Sequence, residues 1–127
     1  MNDENQQSED YFGAFGNNAT QALAILMPVV DLALSAHETG DYQAFRNLMT
    51  DSLAARITPE GFQNAYKAIA PQLGPLISKR LVAAVNQAGN PRLLFVARYT
   101  NTSDDIVINI TFANNAEAPL INDMWIE

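Results

Sequence analysis

The chain has 127 residues, 48% of them hydrophobic, which suits one domain around one core. It contains no cysteine, so disulfides, thiolate metal sites and a cysteine nucleophile are excluded. Its net charge of −7 opposes electrostatic binding to nucleic acid or to an anionic membrane.

Part of that charge is local. Asp3, Glu4, Glu9 and Asp10 crowd the first ten residues, and the rest of the chain is only mildly acidic. Residues 1–18 therefore read as an acidic N-terminal arm and residues 19–127 as a single domain. Tyr11, Phe12 and Phe15, spaced by Gly13 and Gly16, interrupt the polar arm and are expected to pack back on the domain. The chain does not open with the basic and apolar run of a secretory leader. A cytoplasmic location is expected, or an exported one where a leader has been removed.

Asn17 and Asn18 are candidate caps for a first helix, in which Leu23, Leu26, Met27, Val30 and Leu34 recur at helical spacing. Pro28 lacks an N–H and is expected to kink or divide it. No uninterrupted run of about 18 apolar residues occurs, so no membrane span is expected. Gly40 closes the first helix and Asp41 caps a second, with Tyr42, Phe45, Leu48 and Met49 as its apolar stripe. Leu53 and Ile57 read as a connection. Thr58, Pro59 and Glu60 form a strong helix start, and Phe62, Tyr66, Ile69 and Leu73 share one face of this third helix up to Gly74 and Pro75.

The period then changes to two. Leu76 to Asn86 alternates loosely. In Arg92 to Thr100, Leu93, Phe95, Ala97 and Tyr99 share one face. Ile106, Ile108, Ile110 and Phe112 alternate with Val107, Asn109, Thr111 and Ala113. In Leu120 to Glu127, strict alternation puts Ile121, Asp123 and Trp125 on one face. Three helices followed by four strands with short loops predict an α+β fold. The helices pack on a curved, four-stranded antiparallel meander. Apolar residues on both sheet faces call for a second layer, and a homodimer through the sheet is expected.

The run Ala33 to Phe45, with its Gly40-Asp41-Tyr42 step and Phe45 three residues on, resembles the junction of the first two helices in nuclear transport factor 2-like domains. The run from Ile57 to Phe62 resembles their third-helix start, and the strand succession and Trp125 also fit. The resemblance covers residues from about 20 to 127. It implies a cystatin-like cone, a curved sheet wrapped round the long helix and able to enclose an apolar pocket. The outer sheet face often forms a dimer in such domains. Small bacterial members of this superfamily include domains without assigned function, so the likeness does not carry a reaction with it.

Catalytic groups are sparse. His37, the single histidine, sits in the last helical turn, where a solvent-facing or capping role is expected. The residues placed at the pocket are Tyr66, Tyr99, Asn109, Asp123 and Trp125. Lys79, Arg80, Arg92 and Arg98 are expected to pair across strands with Asp123 or Glu127. No phosphate loop or nucleophile elbow occurs, and no metal, cofactor or catalytic residue is assigned. The expected function is a non-enzymatic interaction or the binding of a small apolar ligand. The alternative is a lyase or isomerase using Asp123 as base with a tyrosine.

Overall fold

The computed structural model describes residues 12–87, 89–115 and 119–127. Tyr11 and the four acids of the arm lie outside the described residues. Among those described, a 3-10 turn (Gly13–Phe15) and four helices precede four strands: α1 (Ala19–Thr39), α2 (Tyr42–Arg46), α3 (Asp51–Arg56), α4 (Pro59–Leu73), then β1 (Leu76–Gln87), β2 (Asn90–Tyr99), β3 (Ile106–Phe112) and β4 (Ile121–Ile126). The strands form one antiparallel sheet in the order β1-β2-β3-β4. The protein is thus α+β, with its helices N-terminal to a meander.

Each helix starts on a side-chain cap. Asn18 accepts from the N–H of Gln21, Asp41 from Ala44, Thr50 from Leu53 and Thr58 from Gly61, at 3.0–3.1 Å. Pro28 does not divide α1, which runs unbroken for 21 residues. The reason is its position. Pro28 and Ala24, whose carbonyl it leaves unpaired, both lie on the exposed side, where water meets the freed oxygen. With a mean hydropathy of 1.6, α1 is long and apolar enough to cross a membrane. Its apolar stripe nevertheless lies in the core, where Leu26, Val30 and Ala33 are fully buried.

The second predicted helix is shorter than its stripe suggested. It ends at Arg46, and Met49 leaves it to form a parallel bridge with Ile121. The segment read as a connection contains α3 instead, started by the Thr50 cap and the acid Asp51.

The inner sheet face carries Leu93, Phe95, Ala97 and Tyr99 of β2 and Ile108, Ile110 and Phe112 of β3, all buried. They pack on α1 and on Phe12 and Phe15 of the N-terminal turn. Each large side chain buried there contributes about 1.5–3 kcal/mol of hydrophobic stabilisation. Gly13 (φ 61°) allows the turn to dock on the strand connections: a Cβ there would lie 2.6 Å from the Gly89 carbonyl, and the Ala14 N–H beside it donates to Asn114 Oδ1 at 2.7 Å.

Three register slips explain the loose alternation in the sequence. One extra residue enters β1 at Ile77, another at Val82, and one enters β4 at Asn122. The slip in β4 overturns the strict alternation expected there. Ile121 turns inward with Met124, both buried, while Asp123 and Trp125 face outward opposite Thr111 and Asn109.

Candidate functional site

A cavity of about 960 Å³ opens between α4, the last turn of α1 and the inner sheet face. Helix α4 roofs it. Phe62, Tyr66, Ile69 and Leu73, the apolar stripe of the third predicted helix, all line it. Phe62 is the buried residue of α4 and Leu73 packs against the core, while Tyr66 and Ile69 between them border the open space. The opposite walls include Leu34 of α1, Tyr99 of β2, and Met124 and Ile126 of β4.

The roof is tied down at both ends. Near its start, Gln63 Nε2 donates to the Gly40 carbonyl at 2.7 Å. Gly40 has φ 72°, and a Cβ there would sit 2.8 Å from the Tyr66 ring, so glycine both ends α1 and lets Tyr66 approach. At its end, Asn101 of the β2–β3 connection donates from Nδ2 to the Pro71 carbonyl at 3.0 Å and from its backbone to Leu73 at 2.8 Å. Glu38 Oε1 accepts from the Leu76 N–H at 2.8 Å, which joins the end of α1 to the start of β1 beside Tyr99.

The floor near α2 is aromatic. The His37 ring meets Phe45 edge-on at 4.5 Å between centroids and Phe62 at 5.3 Å, while Phe45 and Phe62 stack at 5.6 Å. His37 therefore does not occupy the solvent-facing position expected of it. It continues the buried stripe of Val30 and Leu34 by one further turn, a spacing visible in the sequence. Its Nδ1 lies 2.9 Å from the Ala33 carbonyl. A carbonyl only accepts, so Nδ1 carries the hydrogen and neutral His37 presents a bare Nε2. Burial lowers the His37 pKa below its ordinary value, outweighing the opposite effect of the Ala33 bond. Burial, and to a lesser extent the Glu38 carboxylate, raise the Tyr99 pKa, so its phenol stays protonated.

Of the five residues placed at the pocket from sequence, the structure brings Tyr66 and Tyr99 to the cavity. Asn109, Asp123 and Trp125 lie on the other face of the sheet. Asn109 is buried there and accepts from Arg92 Nε at 3.0 Å. Trp125 is 54% exposed. Asp123 lies 3.6 Å from Arg56, so it does not join the tyrosines as a base. Among the described residues, the expected cross-strand pairs of Lys79, Arg80, Arg92 and Arg98 with Asp123 or Glu127 do not form either, because β4 adjoins only β3, and these four cations lie on β1 and β2. Lys79 pairs instead with Asp31 of α1 at 2.8 Å, and Arg98 with Asp105 at 3.5 Å. Among the described residues, no group of three or more metal-ligating side chains is close enough to hold an ion.

No protein-family model, curated protein or solved structure matches this chain.

Proposed function

We propose that this domain binds a small, mainly apolar molecule in the cavity beneath α4, and that two copies pair through the outer sheet face. The observation that carries the first part is the α4 stripe. Tyr66 and Ile69 face a space of about 960 Å³ rather than a packed core. That volume lies in the range of ligand pockets, and such pockets are apolar with a few placed polar groups. Helices set before a meander, with a cavity between them, also support a nuclear transport factor 2-like cone.

A fluorescent apolar probe tests the ligand reading. 1-N-phenylnaphthylamine should bind with enhanced emission, and Ala65→Trp, which fills the cavity from the exposed roof helix, should weaken it about tenfold or more. Absence of uptake, or uptake unchanged in the variant, overturns the reading.

The dimer rests on the outer face. Leu94, Val96 and Val107 are half-buried in its centre beside exposed Trp125. Charge on this face is divided: Arg80, Arg92 and Arg98 lie on β1 and β2, and Asp123 and Glu127 lie on and beyond β4. A two-fold axis between the paired faces and parallel to the strands sets the basic half of one copy on the acidic half of the other.

A further inference from the structure

Two polar groups line the cavity where the last turn of α1 meets the end of β2. His37 Nε2 makes no hydrogen bond to the described residues, yet no buried side-chain nitrogen or oxygen among them lacks a partner. Nε2 is therefore accessible, and the ring that carries it lines the cavity. The Tyr99 hydroxyl is in the same position: the ring is buried, the residue lines the cavity, and its oxygen has no bond to the described residues. The wall thus offers one nitrogen that can only accept and one phenol that can donate.

We infer that the ligand of this cavity presents a neutral hydroxyl group, an alcohol or a phenol, to His37 Nε2, with its apolar body lying under α4. This rests on the cavity being a binding site. A hydroxyl donates to Nε2 and still accepts from a tyrosine. An ether or ketone only accepts and leaves Nε2 dry and unpaired. A carboxylate is disfavoured on this wall by the Glu38 side chain and by the lone pair of Nε2. Two cations also line the cavity: Arg56, already held by the Asn122 carbonyl at 2.8 Å and by Asp123, and Lys67 on the exposed side of α4, away from this wall.

Three matched probes separate these cases: 2-naphthol, 2-methoxynaphthalene and 2-naphthoate. Affinity is read by fluorescence and the state of His37 by imidazole 15N NMR of the wild-type protein. The naphthol should bind about tenfold more tightly than its methyl ether. It should also shift the Nε2 resonance while Nδ1 keeps its hydrogen. His37→Phe should remove the preference for the naphthol and retain binding of the ether. If that variant does not fold, the wild-type resonance still decides. Equal affinities with an unmoved Nε2 resonance overturn the hydroxyl inference and leave the apolar cavity standing. Tightest binding of the naphthoate overturns it in favour of an anion. Failure of all three probes overturns it as well, and failure of phenylnaphthylamine beside them removes the cavity reading too.

Discussion

His37 shows how one residue can contradict its local setting. A histidine at a helix C-terminus is stabilised as a cation by the macrodipole. Here the ring rests edge-on against both Phe45 and Phe62, and desolvation dominates. Because the folded pKa lies below the unfolded one, the unfolded chain binds the proton more readily. Stability is then fully present above the ordinary value near 6.5 and is lost as pH falls through the lowered folded value. Urea midpoints should therefore fall between pH 7.5 and 5.5, and His37→Gln should flatten that slope. A wild-type midpoint that stays constant or rises on acidification contradicts the burial argument. The period of Val30, Leu34 and His37 is a signal of the inward direction that the expected solvent-facing role passed over, and the phenylalanines that dry the ring arrive from α2 and α4.

Among the elements, α3 starts on a side chain that makes two hydrogen bonds. Thr50 Oγ1 accepts from the Leu53 N–H at 3.1 Å and donates to Asn122 Oδ1 at 2.8 Å, so the cap also ties the helix to the extra residue of β4. Thr50→Ala should cost about 1–2 kcal/mol in chemical denaturation, and Thr50→Ser should restore most of it. Equal stability of the alanine variant would show that α3 is held by Leu53 burial alone. The cap was visible in sequence as Thr50-Asp51 but was overshadowed by the Leu48-Met49 stripe, which suggested that α2 continued. The roof helix is the reverse case. Its start, its face and its end were all legible, because Thr58, Pro59 and Gly74 act locally and the stripe has helical period.

At the scale of the whole molecule, the proposed dimer rests on the outer sheet face. A dimer should elute and scatter at twice the 13.9 kDa of one chain. Trp125→Lys together with Val96→Lys should give monomers, because each places a charge in the apolar centre of the face. A clean monomer of the wild-type protein at high concentration would sink the second copy without touching the cavity.

The sequence by itself determined that helices precede strands, the caps Asn18, Asp41 and Thr58, how the residues of β2 and β3 divide between two faces, and the aromatic pair Tyr66 and Tyr99 that the cavity shares. These follow from period and from local backbone chemistry, which neighbouring residues settle. Only the tertiary structure decided that Asn109, Asp123 and Trp125 turn away from the cavity. The orientation of Asn109 follows from which face of β3 meets the helices. In β4, the extra residue at Asn122 reverses the alternation before Asp123, and such a slip shows only when β3 lies alongside. The cavity is of the same kind: an apolar stripe reads alike whether it meets a packed core or a space, and how far α4 stands from the sheet depends on contacts distant in the chain.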